Sequence, residues 1–178
     1  MHLLALALPA AALVAATFTA PAPHLQGSPI SVPGCTGAVT TTGAPAICEV
    51  YGNPVASAND AQLVASGLPP NQFGIFMTSL VGAPPMVVNS GNGWLCINPA
   101  GSNGIGRFFY PNQIQSSGPL GQLTLDTTAG QWDLSALPTA TGGPYAAMPG
   151  MTSHFAAWFR EPVGAGWNFS GTALMTWQ

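Results

Sequence analysis

Hydrophobic and polar positions alternate along this chain only in short bursts, each bounded by Gly, Pro, Asn or Ser. The clearest burst follows Gly67-Leu-Pro-Pro-Asn-Gln, where two prolines without an N–H and a turn-tolerant asparagine force a change of direction. From Phe73 a period of two puts Phe73, Ile75 and Met77 on one face and Gly74, Phe76 and Thr78 on the other. Both faces carry bulk, so the pattern predicts a strand covered on two sides. Residues 122–126 give the half-buried version, with Leu123 and Leu125 inward and Gln122, Thr124 and Asp126 outward. The same reading predicts strands at 47–51, 61–65, 94–97, 105–110, 153–161 and 172–177. Ala83-Pro84-Pro85 closes the strand that starts at Phe73, and 86–88 reads as a short edge piece before an Asn-Ser-Gly-Asn-Gly turn at 89–93. Seven to nine short strands at this spacing, with no sustained helical period after the first residues, predict an all-β fold. The expected architecture is a single antiparallel β-sandwich, Ig-like or jelly-roll-like.

Composition changes the picture in one respect. The 178 residues suit one domain, but charged residues make up 4%, against about 25% in an ordinary soluble domain. There is no Lys, and Arg107 and Arg160 are the only fixed cations, so no basic patch exists to neutralise a run of phosphates. Nucleic-acid binding is therefore excluded as an expectation, and the net charge of -3 points to no partner. A polar surface made of Thr, Ser, Asn and Gln suits an extracellular β-protein. The apolar run at 3–16 is shorter than the roughly 20 residues of a membrane span. It reads as a signal peptide, 1–16, cleaved after Ala16, although the usual positive n-region is missing. Residues 17–33, rich in Pro, Ala, Ser and Thr, read as a flexible leader, and the sandwich domain is assigned to 34–178. The expected location is secreted or cell surface, with no membrane association after cleavage.

Candidate chemistry is sparse. The five carboxylates are Glu49, Asp60, Asp126, Asp133 and Glu161, and the histidines left after processing are His24 and His154. A nucleophilic triad would need His154 with Asp126 or Asp133 and a serine, but no Gly-x-Ser-x-Gly elbow singles one out. Asp126 and Asp133 flank a Thr-Thr-Ala-Gly turn, where acids commonly bond their own backbone rather than act as a glycosidase pair. No catalytic residue is assigned and the chain is read as a non-enzyme. Zinc spacing and calcium-loop series are both missing, so no cofactor is expected, with calcium at Asp60 or Asp126 left open. Arg107 and Arg160 are expected to form structural ion pairs with Glu161, Asp60 or Asp126 across the sheet. Trp132, Tyr145 and Trp167 lie in turn-like stretches and are the candidate ligand-binding residues, weighed against simply capping the sandwich ends. Trp94, Trp158 and Trp177 read as core. The sequon Asn168-Phe-Ser carries no weight. Three cysteines allow one disulfide and one leftover thiol, and spacing does not choose among the three pairings.

Six ordered segments carry a resemblance: Gly67-Leu-Pro-Pro-Asn-Gln-Phe-Gly, Trp94-Leu-Cys, Ile105-Gly-Arg-Phe, Gln113-Ile-Gln-Ser-Ser-Gly, Asp133-Leu with Leu137-Pro-Thr, and Phe155-Ala-Ala-Trp-Phe-Arg-Glu. Together, over about 35–178, they resemble a group of uncharacterised secreted β-rich domains of planctomycetes and similar bacteria. The chain departs from that group at Ser153-His154-Phe155-Ala156-Ala157-Trp158, where Trp-Asn-Phe-Gln-Ala-Trp is usual, at Glu161 in place of Asp, and in having Cys48. The resemblance implies export, a β fold and no established activity. It also favours Cys35 pairing with Cys96, a loop worth about 4 kcal/mol in the loop-entropy account, with Cys48 a buried thiol. Cys35 with Cys48 is the alternative pairing. The leading functional expectation is a structural, adhesive or protein-interaction module whose partner is an extracellular protein, matrix or polysaccharide. A carbohydrate-binding module is the alternative, a hydrolase the remotest, and the low charge leaves self-association open.

Overall fold

A computed structural model describes residues 27–88, 93–99, 104–164 and 166–178. The expected signal peptide and most of the 89–93 turn lie outside them. The described residues form twelve strands: β1 Val32–Pro33, β2 Ile47–Gly52, β3 Ala61–Ser66, β4 Phe73–Ser79, β5 Gly82–Val87, β6 Trp94–Ile97, β7 Gly106–Arg107, β8 Gln115–Ser116, β9 Leu123–Asp126, β10 Thr152–Arg160, β11 Trp167–Phe169 and β12 Ala173–Thr176. Every pairing is antiparallel. The fold is all-β, as the alternation predicts. The count exceeds the expected seven to nine because β1 and β8 are two-residue pieces that alternation is too short to reveal, and the three-residue β11 lies in a turn-like stretch.

The larger sheet runs β1-β12-β10-β4-β7, with β11 also on β10 and β8 also on β4; β2-β3-β9 form a second sheet and β5-β6 a hairpin. Alternation explains how they stack. On β10, Phe155, Ala157 and Phe159 point inward, joined by Phe76 of β4 and by Ala173 and Met175 of β12. Facing them are Cys48 and Val50 of β2, Leu63 and Ala65 of β3, and Leu123 and Leu125 of β9. Burying each large side chain contributes roughly 1.5–3 kcal/mol before chain entropy is charged. The opposite face of the larger sheet is also covered. Met77 and Ala156 pack there with Leu95 and Ile97 of β6 and with Phe169, so β4 has cover on two sides as its composition implied. The Cys35–Cys96 disulfide, with a Cα–Cα distance of 6.2 Å, ties the segment after β1 to this outer hairpin.

Several boundaries differ from the sequence reading. The leader assigned to 17–33 is part of the fold at its end: Ile30 N–H donates to the Val50 carbonyl at 2.8 Å, and Val32 pairs with Leu174. Pro84 and Pro85 do not end a strand but lie in a bulge inside β5, between the paired residues Gly82 and Met86, where a missing N–H breaks no ladder bond. The 105–110 strand shrinks to Gly106–Arg107, after which only the Phe108 N–H still bonds Phe76 before the chain turns away. Asp126 is buried rather than outward, because cross-strand Gln62 donates to its Oδ2 at 3.0 Å while Thr128 N–H and Oγ1 both bond Oδ1 at 2.7 Å. β11 falls in a stretch read as a turn.

A candidate binding pocket on the outer face

Between the larger sheet and the described residues of the β5-β6 hairpin lies a cavity of about 730 Å3. Strand register dictates its floor. Met77 pairs with Ala156 and Ile75 with Trp158, while Trp158 pairs on its other side with Phe169 and Arg160 with Trp167. Cross-strand partners share a face, so Ile75, Met77, Trp158, Phe169 and Trp167 form one continuous apolar floor. Met86, Val88 and Leu95 close the hairpin side, and Ile105 closes the end next to β7. The Trp167 and Phe169 rings meet edge to face with centroids 5.2 Å apart, a favourable aromatic geometry.

Among the described residues that line this cavity, Arg107 is the one that carries a charge. It pairs with Met77 and so emerges on the outer face. Gly106 makes that position possible, since a Cβ there would overlap the Pro138 carbonyl that passes beneath β7. Arg160 alternates with Trp158 along β10 and reaches the same face at the far end of the floor. Strand spacing of about 4.8 Å and a rise of about 3.4 Å per residue put the two arginine backbones roughly 17 Å apart. Both fixed cations of the chain thus stand on the face that carries the pocket.

The candidate residues do not form a common site. Trp132 is 5% exposed and sits inside the main core, edge-on to Phe108 and Phe155. Little of its ring is left to a ligand, although it lines a small cleft with Tyr110 and Asp133. Its indole N–H has no acceptor among the described residues. Tyr145 packs against the same core with its hydroxyl 3.3 Å from Thr78 Oγ1, and burial raises its pKa. Trp167 alone lines the pocket. Trp94, read as core, is 44% exposed, because its hairpin is the outermost layer there. Two further aromatics escaped the reading as part of a strand: Phe109 and Tyr110, 60% and 67% exposed, stack with centroids 5.6 Å apart.

The expected ion pairs also take another form. Glu161 follows Arg160 directly, and neighbours on an extended chain point to opposite faces, so Arg160 is exposed while Glu161 is buried. Its Oε1 accepts the Thr41 N–H at 2.7 Å and its Oε2 accepts Asn168 Nδ2 at 2.9 Å. Asn168 is fully buried, which excludes a glycan in the folded protein. Asp60 and Asp126 line one separate polar cleft, with Tyr51, Asn53, Gln62 and Thr128. Beside it the Tyr51 hydroxyl donates to Glu49 Oε2 at 2.8 Å, and desolvation together with that carboxylate pushes its pKa up to about 12. Among the described residues no group of three or more His, Cys, Asp or Glu is placed to hold a metal ion.

His154 borders a cleft with Gly82, Cys35, Cys96, Thr172 and Leu174. A Cβ at Gly82 would fall 2.7 Å from its ring, and burial pushes its pKa down. Asp133 bonds its own turn, Oδ1 accepting the Ser135 N–H at 2.7 Å, as the turn reading anticipated. Cys48 is free and buried; desolvation first, then the adjacent Glu49 carboxylate, push its thiol pKa far up, which keeps the thiolate scarce. No helix among the described residues is long and apolar enough to cross a membrane. Comparison of the chain with protein-family models, with curated proteins and with solved structures gave no match.

Proposed function

We propose that this chain is an exported, non-enzymatic β-sandwich module that works by binding, with the outer-face pocket as its recognition element. One observation carries the reading: Trp158, Trp167, Phe169, Met77 and Met86 surround a single space of about 730 Å3 among the described residues. Apolar, aromatic-lined spaces of roughly 300–1,000 Å3 with a few polar groups are the usual form of a small-ligand site. Unbranched methionines let such a wall adapt to its occupant. The disulfide supports export, since such crosslinks persist in oxidising compartments, and the scarcity of surface charge favours contacts that need little desolvation.

The test is fluorescence titration with the neutral probe N-phenyl-1-naphthylamine, reading both probe emission and quenching of Trp158 and Trp167. Saturable one-site binding, abolished in a folded Met86→Asp variant, is expected. Equal binding to wild type and variant would discard the pocket as the recognition element. A panel of soluble polysaccharides forms a second arm, because the exposed Phe109 and Tyr110 rings give the carbohydrate-binding alternative its remaining aromatic surface. Saturable glycan binding lost on Tyr110→Ala would move the assignment there.

A further inference from the structure

Resting on that reading of the pocket, we infer that its ligand is a fatty-acid-like carboxylate, with the acyl chain on the Trp158, Phe169 and Trp167 floor and the head on Arg107. Charge is the discriminating feature. The chain has two fixed cations among 178 residues, and strand parity brings both to this one face. Arg107 lines the pocket itself and its side chain is exposed to solvent.

Three of the five carboxylates are engaged elsewhere. Glu161 is buried under Thr41 and Asn168, Glu49 accepts from Tyr51, and Asp126 is held by Gln62 and Thr128. Asp60 stands on the other polar cleft. Asp133 borders a small cleft that Arg107 also reaches, and its Oδ1 is taken by the Ser135 N–H.

A guanidinium presents paired donors that match a carboxylate bidentately. The rest of the described lining is apolar, which rejects a ligand charged along its length, because each additional charge would lose its water without a partner. The chemistry that satisfies both ends is one anionic head on an apolar chain. The floor runs from Arg107 past Trp158 to Trp167, so an extended acyl chain fits it better than a globular body.

The experiment measures binding of dodecanoate and dodecyltrimethylammonium below their micellar concentrations, and of dodecanol below its solubility limit, by calorimetry and tryptophan fluorescence. The full chain is used as wild type, Arg107→Gln, Arg107→Lys and Arg160→Gln. Dodecanoate is expected to bind saturably and at least tenfold tighter than dodecanol. Arg107→Gln should erase that preference while leaving dodecanol affinity within twofold, which also shows that the pocket is intact. Arg107→Lys should restore part of the preference, and Arg160→Gln should leave it in place. Equal affinity for dodecanoate and dodecanol, tighter binding of the ammonium, or a preference that survives Arg107→Gln would overturn the carboxylate inference while the pocket reading stands. Failure of dodecanoate, dodecanol and N-phenyl-1-naphthylamine alike would overturn both.

Discussion

Asn168 donates from Nδ2 to Oε2 of Glu161 at 2.9 Å, and both side chains are buried where β10 runs out beside β11. The carboxylate also holds the Thr41 N–H, so one acidic group joins a loop to the strand that carries Trp167 and Phe169 into the pocket floor. Glu161→Gln keeps the shape but replaces one acceptor with an NH2 that faces another donor. A loss of about 1–3 kcal/mol is expected in urea unfolding, the cost of a buried unsatisfied group. Asn168→Asp in the same chain supplies the missing acceptor, so the double variant should lose less than the sum of the two single changes. Strict additivity would mean that this bond contributes nothing.

The two most buried indoles should respond differently to loss of their N–H. Trp177 donates from Nε1 to Ser153 Oγ at 3.0 Å, whereas Trp132 has no acceptor among the described residues. Trp→Phe removes similar volume at both sites and leaves comparable cavities. The Trp177→Phe variant additionally strips a partner from a fully buried serine. It should therefore be about 1 kcal/mol less stable than Trp132→Phe. Matched thermal or urea denaturation of the two proteins measures the difference, and equal losses would remove the hydrogen bond from the account.

What could be read beforehand divides along physical lines. The strands Phe73–Ser79 and Thr152–Arg160 were legible because their alternation is long and both parities carry apolar residues, as a sheet covered on two faces requires. Trp132 and Trp94 exchanged roles because local pattern reports extension, not layer. A turn that folds over the sandwich end buries its ring, and a strand in an outer hairpin exposes one. The pocket was not legible, since it exists only through the non-local registers Ile75 with Trp158 and Trp158 with Phe169. A faint signal was present in parity: Trp158 and Arg160, like Trp167 and Phe169, sit two residues apart and must share a face if extended.

His154 makes stability depend on pH with a definite sign. Burial lowers its pKa below the ordinary 6.5, so the folded protein binds its proton less readily than the unfolded chain does. The contribution is complete above pH 6.5 and is lost as pH falls toward the folded value. The melting temperature should therefore decline between pH 7.5 and 5.5, before most carboxylates begin to titrate. His154→Gln should flatten that decline. An unchanged slope in the variant would assign it to other groups.

The cysteines allow the hairpin to be separated from the core. Cys48 is buried with its thiol pKa pushed far up, so the native protein should show no reactive thiol to Ellman's reagent, one after denaturation, and three after denaturation with reduction. Any reactive thiol in the native state would contradict the burial of Cys48. Paired replacement, Cys35→Ser with Cys96→Ser, opens a crosslink between residues 61 apart in sequence. Loop entropy alone predicts a loss of about 4 kcal/mol. The bond also fastens the β5-β6 hairpin, which supplies Met86, Val88 and Leu95 to the pocket, while the main core between the two sheets contains neither cysteine. Under conditions where the variant stays folded, N-phenyl-1-naphthylamine affinity should therefore fall while the buried Trp177 keeps its near-ultraviolet signal. If affinity and core signal fall together, the hairpin is no separate wall but an integral part of the sandwich, and the pocket has no independent freedom to open.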